Sequence, residues 1–309
     1  MANLVDFSQI IKASILVDST AKECARHPSE DSKKLIKHFI LNSLRSNHVL
    51  HKAKYGNMVL ACDSKSWRKE IFPQYKWKRQ EAKEKDDSGI NWDFVYEAVN
   101  ELLLEIQQYL PFLVIKVPGA EGDDIIAVLT ELLSTQDTDS VETDIFGDRE
   151  VEPILITSSD RDNFQLHTYK NVKQFSPMDK KLIRPAVSPR AALIEKIVKG
   201  DPGDGVMNIR MGDNTFVEGI RQKPIAATLL EKFIAAQNPI DVCADAEERA
   251  RYERNERLVS YSHIPLDLKE KIILCYNETK AKKTSKMALM SYFTSNRMSN
   301  LLSQIHDFY

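Results

Sequence analysis

Over the first 180 or so residues, short apolar runs alternate with stretches of helical spacing. The runs near 3–7, 57–62, 112–117, 153–158 and 172–175 are mostly rich in Val, Ile and Leu, a composition expected of strands buried on both faces. Between them, 31–53, 92–109 and 121–134 repeat apolar residues at helical intervals. In the last stretch Ile125, Val128, Leu129, Leu132 and Leu133 share one face. Strands alternating with helices predict βαβ units, and hence an α/β fold with a mostly parallel central sheet flanked by helices. After about residue 186 the strand signals stop. Segments 191–199, 224–236, 244–260, 267–276, 286–295 and 297–305 read as short helices, with Pro189 and Pro224 near two of the starts. The expectation is an α/β domain over 1–185 and a helical one over 186–309.

The candidate chemistry lies just past the strand ends. Asp6 comes after Asn3-Leu4-Val5, Asp63 after the run at 58–62, Glu121-Gly122-Asp123-Asp124 after 112–117, and Asp160-Arg161-Asp162 after 154–157. A fifth cluster, Asp201 and Asp204, lies in Gly200-Asp201-Pro202-Gly203-Asp204-Gly205. Residues just beyond strand C-termini line the ligand crevice of an open α/β sheet. Nine carboxylates gathered there repel one another unless cations lie between them, and hard oxygen donors suit Mg²⁺ or Mn²⁺. The set predicts a divalent-metal site. A plainer role stays open for single members, with Asp160 as a helix cap before 163–166 and Asp201 as a turn cap.

Composition narrows the class. Of 309 residues, 42% are apolar and 28% charged, enough for a real core. No run of about 18 apolar residues predicts a membrane span. Met1-Ala2-Asn3-Leu4-Val5-Asp6 lacks the basic start of a signal peptide, so a cytoplasmic location is expected. Cys24, Cys62, Cys243 and Cys275 are scattered without a CxxC pair and read as free thiols in a reducing compartment. Net charge is −2, yet setting the nine clustered acids aside leaves 36 acids against 43 Lys and Arg, a body of about +7. A basic body around an acidic metal pocket suits a phosphodiester substrate. Ser158 and Ser159 lack a His partner for a nucleophilic triad, and no GxxxxGK[ST] loop points to ATP.

Residues 67–79, Trp67-Arg68-Lys69-Glu70-Ile71-Phe72-Pro73-Gln74-Tyr75-Lys76-Trp77-Lys78-Arg79, interleave five cations with four rings. Cations grip phosphates and rings stack on bases, which suits single-stranded nucleic acid. The alternative is an amphipathic helix with its rings in the core. The adjoining charged stretch 80–89 reads equally as a lid or arch and as a solvated loop.

Taken in order and at this spacing, these motifs resemble the 5′-nuclease family of flap endonucleases and replicative 5′→3′ exonucleases. Asp6 and Asp63 match its first two strand-end aspartates. The run from Trp67-Arg68 to Tyr75-Lys76-x-x-Arg79 resembles the base of its helical arch, here about 64–95. Glu121-Gly122-Asp123-Asp124 resembles its acidic helix start, and Ser158-Ser159-Asp160-Arg161-Asp162 its Ser-x-Asp-x-Asp turn. Gly200-Asp201-x-x-Asp204 resembles the start of its helix–three-turn–helix duplex-binding element.

The resemblance implies a PIN-like core and two Mg²⁺ ions, with Mn²⁺ able to substitute. One ion would lie near Asp6, Asp63, Glu121 and Asp123. The other would lie near Asp160, Asp162, Asp201 and Asp204, with Asp124 as an outer ligand. It assigns catalytic roles to Asp6, Asp63, Asp160, Lys76 and Arg79, the last two over the scissile phosphate. Arg68, Tyr75, Lys76, Lys78 and Arg79 become nucleic-acid contacts. Gly122 stands where the family commonly has Ala, and 205–214 lack most of its glycine-rich phosphate turn; Arg210, Arg221, Lys223 and Lys232 are the replacements to consider.

The implied activity is 5′→3′ exonuclease and flap endonuclease cleavage of RNA–DNA hybrid and duplex DNA, removing RNA primers from lagging-strand fragments. The implied protein is a monomer, in the host cytoplasm if phage-encoded, with a single-stranded-DNA-binding protein and a sliding clamp as partners. The ending Ser303-Gln304-Ile305-His306-Asp307-Phe308-Tyr309 either docks on that clamp or packs as a helix end. Rival readings are a PIN-type ribonuclease, which lacks the arch, and a non-catalytic branched-DNA-binding protein on the same fold. A haloacid-dehalogenase-type phosphatase needs an acid two residues after Asp6, where Ser8 stands.

Overall fold

The computed structural model of the chain describes residues 1–77, 87–135, 152–212 and 220–309. Among these residues six strands form one sheet: β1 (Ala2–Asp6), β2 (Met58–Ala61), β3 (Leu113–Ile115), β4 (Ile154–Thr157), β5 (Val172–Ser176) and β6 (Lys181–Ile183). Their order is β3-β2-β1-β4-β5-β6. β1 to β5 are parallel, with Leu4 level with Val59 on one side and Ile156 on the other. β6 is antiparallel to β5. The chain winds from β1 out to β3, then returns to add β4 and β5 on β1's other side. The direction therefore reverses between β1 and β4, and in open sheets the crevice opens beyond the strand ends at that point.

Five strands fall where the apolar runs predict. The spacing missed β6, α1 (Phe7–Val17) and α2 (Ser19–Arg26). α1 is apolar on most faces, so it reads like an extension of β1, whereas α2 and β6 are short and mostly polar. Both helix starts are capped: Gln9 N–H donates to Asp6, and Thr20 and Ala21 N–H to Asp18. α3 (Glu30–Tyr55) runs 26 residues from its Ser29 cap to Gly56, whose φ of 69° stops it. Ile36, Ile40 and Leu44 are buried along it at every fourth position. The remaining α-helices among the described residues are α4 (Arg68–Ile71), α5 (Trp92–Tyr109), α6 (Gly122–Thr135), α7 (Pro189–Lys199), α8 (Ala227–Ala235), α9 (Ala246–Val259), α10 (Leu266–Ala281), α11 (Lys286–Ser295) and α12 (Ser299–Ser303).

Alternation along the strands feeds two cores. Val5, Leu60 and Val114 pack with α1, α3 and α5 on one face, and Leu4, Val59 and Ile156 with α6 on the other. The segment expected as one helical unit, 186–309, divides between cores. Ile197, Phe233 and Tyr252 form a small core of their own. α10 instead covers the α6 face through Leu268 and Ile272, while α11 and α12 join the α3 face. Phe308 is fully buried against Phe112 and Phe293, and Asp307 pairs with Arg45. The terminal aromatics are therefore packed as a helix end, not held out for a clamp. Among the described residues no helix is long and apolar enough to cross a membrane.

Candidate metal centre

The carboxylates expected at the strand ends gather beyond β1, β2 and β4, at the switch point. Three acids use one oxygen to build the local turn. Asp6 caps α1, Asp160 Oδ1 accepts from Asp162 N–H at 2.9 Å, and Asp201 Oδ1 accepts from Gly203 N–H at 2.9 Å. Capping and membership of the cluster are thus not alternatives. The second oxygen of Asp6 accepts from Ser158 Oγ at 3.4 Å, and that of Asp201 lies 2.8 Å from Lys196 Nζ. Asp63 is held by Gly122 N–H at 2.7 Å and by the Ser8 hydroxyl. A Cβ at Gly122 would come within 3.2 Å of Asp63 Oδ1, so the absent side chain lets α6 start this close to Asp63. Gly200 is stricter: its φ is +72°, and a Cβ would strike Val206 O at 2.4 Å. Asp201 and Val206 close a bridge there, and Asp204 follows within the same turn.

Burial and crowding raise the proton affinity of Asp6, Asp162 and Asp123. Asp6 is pushed up to about 6 by burial first and by Asp63 next. Asp162 is pushed up to about 6 by burial and by Asp160 and Asp201, against the pull of Lys196. Asp123 goes well above the usual carboxylate range through burial, Asp6, Asp160 and Asp162. Two ammonium groups sit among the acids. Lys76 Nζ pairs with Glu121 Oε1 and lies 3.5 Å from Asp204 Oδ2, and Lys196 Nζ pairs with Asp162 and Asp201. Lys76 reaches its position from a left-handed backbone, φ 59°, held by its N–H on Asp204 O at 2.8 Å. Such a φ is costly for a side-chain-bearing residue and marks a constrained site.

Among the described residues no three ligating side chains already close on one point. The donor set is nevertheless all hard oxygen, with two cations paired to four of its members, Glu121, Asp204, Asp162 and Asp201, which fits divalent metal.

Several expected nucleic-acid contacts lie elsewhere. Arg68 is 3% exposed, so it is not a surface cation. Its Nη2 donates to Asp124 Oδ1 at 2.8 Å, Nη1 to Asp124 Oδ2 at 3.0 Å and Glu121 Oε2 at 2.9 Å, and Nε to Leu258 O at 2.7 Å. Tyr75 is 4% exposed, too buried to stack on a base, and its hydroxyl spans Glu121 and Asp204 at 3.1 and 2.9 Å. Burial and those two carboxylates push its pKa up. Asp124 lies furthest from its expected role. It is 0% exposed, and besides Arg68 it accepts from Trp67 Nε1 and from Glu121 N–H at 3.0 Å. Both oxygens are taken by protein donors, which makes it the anchor of Arg68 and not an outer ligand. Arg210 and Lys223 are exposed, as phosphate contacts would have to be. Lys78, Arg79 and most of 80–89 lie outside the described residues.

Three other groups at the site carry no local signal in the sequence. Lys196 comes from α7, which packs against the 3₁₀ helix Arg161–Thr168. Asn163 Nδ2 donates to Asp123 Oδ1 at 3.3 Å. Tyr261 lines the same pocket, its buried hydroxyl without a partner among the described residues.

Fold and site together define an α/β protein of the 5′-nuclease type. The family model for the 5′-3′ exonuclease, N-terminal resolvase-like domain, matches residues 38–196, and that for T4 RNase H, C terminal, matches 187–308. Ribonuclease H of Enterobacteria phage T4 is 31% identical over 315 residues, covering 99% of this chain and 95% of its own. In fold the chain is similar to the bacteriophage T5 flap endonuclease in a pseudo-enzyme–product complex with DNA and metal ions. The TM-score is 0.61 at 15% identity, over 91% of this chain and 99% of that one. The T5 5′-exonuclease with bound zinc ions gives 0.54 at 16%, over 91% and 99%. The chain belongs to the 5′→3′ exonuclease and ribonuclease H family, and it is a nuclease.

Proposed function

We propose that this nuclease is a Mg²⁺-dependent 5′→3′ exonuclease and flap endonuclease that removes RNA primers, and adjoining DNA, from lagging-strand fragments. The observation that carries this reading is the gathering of eight acids from five separate segments, with Lys76 and Lys196 among them, at the sheet's switch point. The T4 relative's name and the T5 complexes with DNA and metal ions support the same substrate class.

Asp6, Asp63, Glu121 and Asp123 would hold one ion, and Asp160, Asp162, Asp201 and Asp204 the other. Bound ions would supply Lewis acidity and a water of lowered pKa. The chain's own residues do the positioning. Arg68 fixes Glu121 from behind, and Tyr75 ties Glu121 to Asp204. Lys76 offers its ammonium to a phosphate once those carboxylates are otherwise neutralised, offsetting charge in the transition state. Arg79 would join it from the arch. Exposed Arg210 and Lys223 would grip the duplex backbone as a sequence-independent contact. In this reading the enzyme is a cytoplasmic monomer, with a single-stranded-DNA-binding protein and a sliding clamp as partners. A clamp would have to meet some surface other than the buried Phe308.

The test is cleavage of a 5′-flap duplex and a 5′-labelled RNA–DNA hybrid, in Mg²⁺ and in EDTA. Short 5′ products released only with Mg²⁺ are expected, with Mn²⁺ substituting. Undiminished cleavage by a variant carrying both Asp160→Asn and Asp201→Asn would sink the proposal.

A further inference from the structure

Beside the carboxylates lies a second, larger cleft of about 1030 Å³. It opens between α1, the 3₁₀ helix Arg161–Thr168, the turn joining β5 to β6, and the chain leading into α7. Pockets of about 300–1,000 Å³ suffice for small ligands, so this one has room for an extended one. Its floor is apolar and wet. Leu16, Met178 and Val187 come from three different elements, and each keeps about half of its surface in solvent, with Phe164 beside them. Its rim is basic: Lys12, Arg161 and Arg184 are exposed, and none is ion-paired to a described residue. Glu195, on the same wall, is paired to Lys199 at 2.6 Å. Asp160, Asp162, Lys196 and Asp201 line both this cleft and the catalytic pocket.

We infer that this cleft holds unpaired nucleotides of the substrate strand next to the scissile phosphate, their bases on the Leu16–Met178–Val187 floor and their phosphates on Lys12 and Arg184. The inference rests on the nuclease reading above. Charge complementarity and continuity with the carboxylates select the occupant. A strand whose phosphate lies at Asp160 and Asp162 continues into whatever cleft shares those residues, and this one is rimmed by cations. The apolar floor selects the unpaired state. In a duplex the base faces are hidden and the outside is phosphate, so exposed methyl and thioether groups have nothing to cover. A single strand presents base faces to such a platform.

The test is fluorescence anisotropy of the full chain in EDTA, where no cleavage occurs, on a duplex with a single-stranded arm and on the same duplex made blunt. Lys12→Ala combined with Arg184→Ala should weaken binding of the armed duplex roughly ten-fold and lower its log–log salt slope by about 1.4. Affinity for the blunt duplex should change by less than about two-fold, since no phosphate contact to it is removed. Leu16→Ala combined with Met178→Ala should weaken a normal arm by roughly five- to ten-fold and leave an abasic arm of equal length unchanged. All four side chains are exposed, so melting curves should match the wild type. Wild-type affinity for the armed duplex in both variants, or an equal loss on armed and blunt duplex, overturns the inference. Those results with intact Mg²⁺-dependent cleavage leave the nuclease reading standing. An inactive wild type would overturn that reading, while the binding data still decide the cleft.

Discussion

The two halves of the carboxylate cluster are built differently. On the α6 side, Glu121 and Asp124 sit in a closed network with Ser66, Trp67, Arg68 and Tyr75, most of it inaccessible to water. On the α7 side, Asp160, Asp162 and Asp201 are partly exposed, held by turn caps and by Lys196. The closed half is part of the folded core, where each charge is fixed by several donors. The open half keeps its acids together with a single ammonium, which another cation can replace without disturbing the core. The first half therefore sets geometry, and the second half responds to what binds.

Removing the central cation of each half is the strongest way to break this contrast. Arg68→Ala strands the carboxylate of Asp124 with no water to receive it. Loss of one partner of a buried pair costs about 3–5 kcal/mol, so the urea midpoint should fall sharply, and added Mg²⁺ should not restore it. Lys196→Ala leaves Asp162 and Asp201 near solvent. The expected loss is about 1 kcal/mol, and millimolar Mg²⁺ should recover it. Equal losses, or recovery of both variants by the ion, would mean that the halves do not differ in this way.

A smaller effect arises from pH. Asp6 and Asp162 have folded values near 6, raised from an ordinary 3.8, so the folded chain binds their protons more tightly than the unfolded chain does. Their contribution to stability is fully present below about pH 4 and is lost as pH rises through about 6. In EDTA, Asp162→Asn should therefore be more stable than the wild type at pH 8, by on the order of 1–2 kcal/mol. The advantage should vanish at pH 4 and shrink when divalent metal is added. A melting-temperature difference that stays constant from pH 4 to 8 would show that crowding does not control this half.

The same contrast marks how much could be read from the chain alone. In the open half Asp160 and Asp162 are legible because they come a few residues after an apolar run, and Asp201 because it opens the Gly200-Asp201-x-x-Asp204 turn; both are local features. The sheet was legible for the same reason, apart from β6, which is too short and polar to announce itself. The closed half was misread at Arg68, Tyr75 and Asp124. Cations interleaved with rings look identical in sequence whether they face phosphate or a buried acid 56 positions away, as Arg68 does. The amphipathic alternative was nearer for Trp67, Phe72 and Tyr75, which are buried. Lys196 and Tyr261 carried no local signal. They reach the site only because α7 and the turn after α9 fold back on it, a tertiary fact that no spacing records.

Tyr261 gives the finest test of where the boundary between the halves falls. Its hydroxyl is buried with no partner among the described residues, and burial together with Asp123, Asp162 and Asp160 pushes its pKa well above normal, so it stays a neutral donor. A buried hydroxyl without a partner costs about 1–3 kcal/mol, and in the closed half such a group would be an isolated defect. Facing the open half, it is available to donate to a water or a phosphate oxygen held among those acids. Tyr261→Phe should then leave the metal-free protein as stable or up to about 1 kcal/mol more stable. Turnover should fall roughly three- to ten-fold at unchanged substrate affinity, the pattern of an interaction made only during reaction. Gained stability with unchanged turnover would place Tyr261 with the closed half as packing alone.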